Sequence, residues 1–472
     1  MESEKELIVV IETGSWVVSG AAGRKRPDGT LEVVAYASEP SGEFIRNGVV
    51  RNIDRTAQCL TNIINMLEGD LKKYSINKIY VGIGGYTLHT VPTKVERGFE
   101  EDTHVTTEII ESMIVEQEEC IDNDKKTVIE VIPQEYKVDN LVTGDPVGYN
   151  CRHIVGEYIN LIARFSIMNN LAKAFEMAKL EDTDNLVTPL RLAEAILTPT
   201  ERNLGCTLVD IGADCTTVSI YKGGRLRFLS VIPLGDRLIT ADLATLGIGE
   251  EEAERIKQTI GLTTTYSDEA TYRVESGNDI KLKNISMVIR ARMQEILVNV
   301  SNQVMLSGYS DDKLSSGYIF TGGALEIPNA ETYIRNQKVK VFPSIRIATL
   351  NENVRWTAAK RPSISKQLVI AALIAAGEDN CVSINHDVPL EIDYTNSELK
   401  TGNLFDEDGE SAQDERDRRN AQRQAEKAQR QAEARAIQLQ KAAAKASKQK
   451  GESWIKKMRR MRDKLTDMIN EN

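Results

Sequence analysis

The chain has 472 residues, 41% of them apolar and 27% charged, long enough for two or more domains with real cores. The formal net charge is −11, and residues 1–394 carry 56 acids against 41 bases, an acidic body that argues against general nucleic-acid binding. No apolar run approaches the length of a membrane span. The six cysteines show no CxxC pairing and the opening MESEKELIVV has no basic stretch before its apolar run, so a reducing cytoplasm and no signal peptide are expected.

Residues 7–23, LIVVIETGSWVVSGAAG, read as an apolar strand, Glu12-x-Gly14-Ser15, and a second strand. A strand follows at 31–38. Leu60, Ile63, Ile64 and Leu67 give residues 55–74 a helical spacing, and the buried strand 79–83 is broken by Gly84-Gly85. Residues 86–165 look like an inserted module: extended chain, a helix over 105–119 with Thr106 or Thr107 as N-cap, and strands at 127–140 and 156–167. The module has no paired acids and no His/Cys cluster, so it reads as an interaction surface or a stability element. Helices are expected at 169–180 and 190–197.

The first pattern returns in residues 204–224, LGCTLVDIGADCTTVSIYKGG, as strand, Asp210-x-Gly212, bend and alternating strand. An acid at a strand end followed by Gly suits a phosphate site, because Gly lets backbone N–H groups approach and the acid can hold Mg²⁺ or its waters. One such hairpin is ordinary turn chemistry; two could clamp a triphosphate from both sides. Beyond them, 228–248 leads from strand into helix and 249–258 opens a helix with acids in its first turn. Glu254 and Lys257 share a face at i, i+3. Residues 286–306 form a long amphipathic helix with Arg290 and Arg292 on an exposed face. YIFTGGA (318–324) is a strand ending in Gly322-Gly323, with a helical stretch from Pro328. Residues 366–376, nearly all apolar, should be a buried helix closed by Gly377.

Order is expected to stop near residue 392. Residues 395–452 are a polar Ala/Gln/Arg/Lys/Glu tether, helical or disordered, that cannot bury a core. Residues 453–472 differ: Trp454, Met458, Met461, Leu465 and Met468 follow steps of 4, 3, 4 and 3, flanked by Ile455 and Ile469, with six Lys/Arg on the other faces. That is a short basic amphipathic helix suited to an anionic membrane surface.

Three elements in this order, the two acid-x-Gly hairpins and FTGGA (320–324), resemble the actin, Hsp70 and sugar-kinase ATPase fold. With VIPQEYKVDN and PVG (131–140, 146–148), LVDIG (208–212), EAERIK (252–257) and SWIKKM (453–458), the chain closely resembles the FtsA family of bacterial division proteins over residues 5–394 and the terminal helix. The resemblance implies an α/β, actin-like (ribonuclease H-like) two-lobed ATPase fold with an FtsA-type 1C subdomain, a tether and a C-terminal amphipathic helix. Its boundaries would be 1A at 1–85, 166–200 and 361–394, 1C at 86–165, 2A at 201–240 and 316–360, and 2B at 241–315.

It also implies roles. Glu12, Gly14 and Ser15 would form the first phosphate loop, and Asp210, Gly212 and Ala213 the second. Glu12 and Asp210 would be the metal ligands for Mg²⁺ and the candidate catalytic acids. Gly322, Gly323 and Ala324 would face the adenosine of ATP, and Glu254 and Lys257 its ribose and base. Arg290 and Arg292 would meet the FtsZ C-terminal tail. Other implied partners are further copies in a filament, anionic lipid, and later division proteins through 86–165, with no nucleic acid. The implied place is the cytoplasmic face of the membrane at the septum, as a peripheral protein. Where family members often read DIGGGTxD, this chain has Ala213, Asp214 and Thr217, which points to binding with slow hydrolysis. Alternatives are a pilus-type adaptor or an actin-fold ATPase or small-molecule kinase, although His89, His104, His153 and His386 are scattered and offer no obvious substrate base.

Overall fold

A computed structural model describes residues 6–119, 126–263, 269–275, 277–336, 342 and 344–384. The expected tether and the terminal helix with Trp454, Ile455, Met458, Met461, Leu465 and Met468 lie outside the described residues. Two sheets share one plan. In the first lobe, Ile8–Thr13 pairs antiparallel with Val17–Lys25, which pairs antiparallel with Leu31–Pro40. On its other side Ile8–Thr13 runs parallel to Lys78–Ile83, itself parallel to Glu181–Val187. In the second lobe, Cys206–Ile211, Thr216–Lys222 and Arg225–Ile232 repeat the antiparallel run, and Tyr318–Thr321 and Ile345–Ile347 the parallel one. This is the duplicated ribonuclease H-like arrangement that the resemblance implies.

Glycine sets how closely the helices approach the first sheet. A Cβ on Gly20 would lie 2.4 Å from Ile63 of helix Ile53–Leu71, and one on Gly23 would lie 2.8 Å from Ile374 of helix Ile364–Ala376. The sheet is therefore sandwiched between these helices, and the expected buried helix begins two residues earlier than the sequence pattern placed it. Asn52 caps the first helix by accepting from the Arg55 backbone N–H. In the second lobe alternation divides a strand between two cores. Leu208 belongs to the core of the first lobe, whereas Val209 and Ile211 face helix Leu282–Leu306 and its core residues Ile289, Met293 and Ile296.

Residues between the halves of the first lobe form an antiparallel sheet ordered Leu141–Thr143, Lys126–Val138, Asn150–Arg164, His89–His104. Helix Thr107–Glu119 covers a small core around Val95, Met113, Tyr136 and Tyr158. This sheet joins that of the second lobe through the backbone pairing of His89 with Ser230, beside which Thr90 Oγ1 accepts from the Leu229 N–H. After Gly322-Gly323 the chain makes a short 3-10 turn, Gly323–Glu326, and the helix expected from Pro328 runs Ala330–Arg335, delayed by Asn329 in the left-handed region (φ 64).

Because the Gly20 site leaves no room for a side chain, Gly20→Val should overpack the helix–sheet seam and cost about 1–3 kcal/mol. A lowered thermal unfolding midpoint, read by calorimetry, checks this.

Candidate functional site

The two hairpins meet across a cleft of about 590 Å³. Glu12 is the penultimate residue of Ile8–Thr13, and Asp210 holds the same place in Cys206–Ile211. Each acid pairs across to a parallel strand, Glu12 to Gly82 and Asp210 to Thr321. Each of those strands runs into a Gly-Gly turn, Gly84-Gly85 and Gly322-Gly323. Glu12, Gly14, Ser15, Asp210, Gly212, Ala213, Glu254, Lys257, Gly322 and Gly323 all line the cleft. Ala324 does not: its side chain is fully buried in the second core. Gly322 (φ 104) is fixed by its own lobe, since a Cβ there would lie 2.3 Å from the Ile211 carbonyl oxygen and 2.6 Å from Asp210 Oδ1. Gly323 has open space where a side chain would go.

The cleft carries charge at both ends. The Lys366 ammonium reaches Glu12 Oε2 at 2.5 Å, with only 18% of the lysine side chain exposed. Burial works to lower the Lys366 pKa, but the charge and hydrogen bond of Glu12 outweigh it and hold the group above its ordinary value. Asp210 is pushed up to about 6, by burial first and by the charge of Glu12 next, against the pull of Lys366. Lys257 pairs with Glu254 at 2.9 Å and with Asp236 at 3.5 Å, and Thr240 Oγ1 donates to Glu254. Asp236 is also pushed up to about 6, by burial that the nearby Lys257 does not offset.

Asp214, the extra carboxylate of the second loop, is tied off. It accepts from the Asn47 backbone N–H at 2.9 Å and pairs with Arg237 at 3.3 Å and Arg46 at 3.7 Å. Arg237 also donates to the Ser15 carbonyl and lies over the Trp16 ring, 5.1 Å from its centroid. Ser15 Oγ accepts from the Gly48 N–H. Asp214 and Arg237 of the second lobe thus clasp the first loop and the Ile45–Val50 hairpin of the first.

Among the described residues no group of three His, Cys, Asp or Glu could hold a metal ion. Two carboxylates facing a glycine-lined space nonetheless fit Mg²⁺, which usually takes one or two protein carboxylates and completes its octahedron with waters and phosphate oxygens.

Lys366, Asp236, Arg46 and Arg237 escaped the sequence reading. Lys366 had a findable signal: it is the sole charged residue in the mostly apolar stretch 364–376. The expected exposed face for Arg290 and Arg292 is corrected. Both are half-buried; Arg292 is held by Asp242 at 2.7 and 2.9 Å, and Arg290 lies over the Tyr333 ring.

Comparison with known proteins fixes the family. A family model described as Cell division protein FtsA matches residues 207–375. Cell division protein FtsA of Porphyromonas gingivalis is 32% identical over 353 residues, covering 73% of both chains. The chain belongs to the FtsA family. The FtsA of Bacillus subtilis is 27% identical over 69% of this chain and 75% of its own, and that of Escherichia coli 26% identical over 69% and 80%. Among solved structures, the PilM-PilN type IV pilus biogenesis complex matches with a TM-score of 0.53 at 17% identity, over 79% of this chain and 97% of its own, so this FtsA-family chain shares its fold. No helix among the described residues is long and apolar enough to cross a membrane.

Asp236 yields a pH prediction. Its pKa is near 6 in the folded protein against an ordinary 3.8, so between those values the folded state binds the extra proton. Its contribution to stability falls as pH rises through that window. The midpoint of Asp236→Asn should therefore fall less than that of the parent between pH 4.5 and 6.5. Parallel midpoint curves in differential scanning calorimetry would remove the assigned shift.

Proposed function

We propose that the cleft binds ATP with Mg²⁺ and that the protein is a division adaptor: it self-assembles into filaments, tethers FtsZ filaments to the cytoplasmic face of the membrane at the septum as a peripheral protein, and recruits later division proteins through residues 86–165. The observation carrying the nucleotide reading is the convergence of Glu12-x-Gly14, Asp210-x-Gly212 and the Gly322-Gly323 turn on one cleft, in a chain of the FtsA family. Backbone N–H groups of both loops would cradle the phosphates, Glu12 and Asp210 would hold Mg²⁺, which supplies charge neutralisation there, and Glu254 and Lys257 would meet the ribose and base. Hydrolysis is slow in this reading, because Asp214 is committed to Arg46, Arg237 and Asn47 and Thr217 stands where the family often has an acid. Contact with an acidic FtsZ tail through Arg290 and Arg292 would have to compete with Asp242 for Arg292.

A Cβ on Gly323 would have nothing within 4 Å, so Gly323→Arg introduces a long side chain at the cleft wall with no clash at its base. Titration calorimetry with ATP and Mg²⁺ should show at least tenfold weaker binding, with an unchanged melting midpoint. Undiminished affinity would move the nucleotide elsewhere.

The anchor rests on sequence pattern. An apolar stripe of Trp454, Met458, Met461, Leu465 and Met468 with six Lys/Arg suits reversible binding to anionic lipid, each base near such a surface contributing about 1 kcal/mol. Filament formation would add avidity. Trp454→Glu with Met461→Glu should abolish co-sedimentation with anionic vesicles and leave ATP affinity unchanged; continued pelleting would assign the anchor to another segment.

A further inference from the structure

We infer that Lys366 is a built-in counter-charge for the phosphates, so that the cleft retains nucleotide when divalent cation is withdrawn better than Glu12 and Asp210 alone would allow. The inference rests on the nucleotide reading of the cleft and concerns what neutralises its phosphate end.

Charge placement carries it. Three other carboxylates at the cleft have cations beside them within their own clusters: Asp214 has Arg46 and Arg237, and Asp236 and Glu254 share Lys257. The phosphate end has two carboxylates, Glu12 and Asp210, one from each hairpin, and both line the cleft. A nucleotide arriving there without a cation would meet like charge at short range and in partly desolvated surroundings, where screening by water is weak. Lys366 is the cation paired with Glu12. It stands in the first turn of helix Ile364–Ala376, whose Ser365 and Val369, together with the preceding Ser363, also line the cleft. The helix is held there independently of any ligand: Ser365 donates to Glu326 of the second lobe, and the buried Gln367 bonds the Pro362 carbonyl. The ammonium is thus fixed at the cleft wall by packing. It cancels one of the two negative charges and leaves N–H donors beside the space the phosphates would fill.

The test measures affinity of the full chain for a non-hydrolysable ATP analogue, in excess Mg²⁺ and in EDTA, by titration calorimetry. Lys366→Met keeps the length of the side chain and removes its charge. Its affinity should drop about tenfold more than the parent's when Mg²⁺ is withdrawn, and Lys366→Arg should restore the parental ratio. Glu12→Gln, which frees Lys366 and removes a repulsive carboxylate, should bind more tightly than the parent in EDTA. A simple packing role for Lys366 would lower both affinities equally, and that equal loss would overturn the inference. If Lys366→Met does not fold, the Glu12→Gln arm decides alone, and unchanged affinity in EDTA overturns it. A parent chain that binds no analogue in either condition would remove the nucleotide reading itself, and this inference with it.

Discussion

Two like charges at the ends of two central strands are the constraint around which the molecule is arranged. Glu12 and Asp210 occupy equivalent positions in two copies of one sheet plan, so closing the lobes on each other brings carboxylates together. Asp210 is pushed up to about 6, by its burial first and by the charge of Glu12 next. The structure answers with cations drawn from elsewhere in the chain: Lys366 from a helix more than 350 residues after Glu12, and Arg46 and Arg237 for the neighbouring Asp214. Arg46 and Arg237, with Asp214, tie the two lobes together beside glycine-lined loops that face one another across open space.

The hairpins were legible because their information is local. Acid-x-Gly between apolar strands has a period and a turn that a sequence displays directly, and its repetition pointed to a duplicated fold. The charges that neutralise the site were not legible, because they reach it from distant segments. Nothing adjacent to Arg46 announces that the chain will fold back on Asp214. Arg290 and Arg292 show the opposite error. Helical periodicity alone put them on a solvent face, whereas Asp242 and Tyr333 arrive from other elements and cover them. Ala324 failed for a related reason: it follows two cleft glycines in sequence, but the 3-10 turn at Gly323–Glu326 turns it into the core. Lys366 lies between these cases, since a lone charge in an apolar helix is visible, although its partner is not.

Glycine has a different task at each close approach. Gly20 and Gly23 let helices settle onto opposite faces of one strand. Gly322 adopts a backbone conformation that its contacts with Ile211 and Asp210 demand, and Gly323 leaves the cleft open. The Gly322-Gly323 pair therefore combines a structural residue with one that keeps space for a ligand, and only the second is informative when replaced.

The second lobe's sheet gives one face to its own helices and the other to the core of the first lobe, where Leu208, Leu226, Leu229 and Ile319 are buried together with residues of that lobe. The two lobes thus meet along an apolar seam, and at the cleft they are joined by the polar contacts of Asp214, Arg46 and Arg237. Separation at the apolar seam would expose hydrocarbon to water. Separation at the polar one would exchange ion pairs and hydrogen bonds for hydrated ones, at much smaller net cost. The two seams therefore differ in what parting them would cost, and Trp16, half exposed, is among the residues that line the cleft between them.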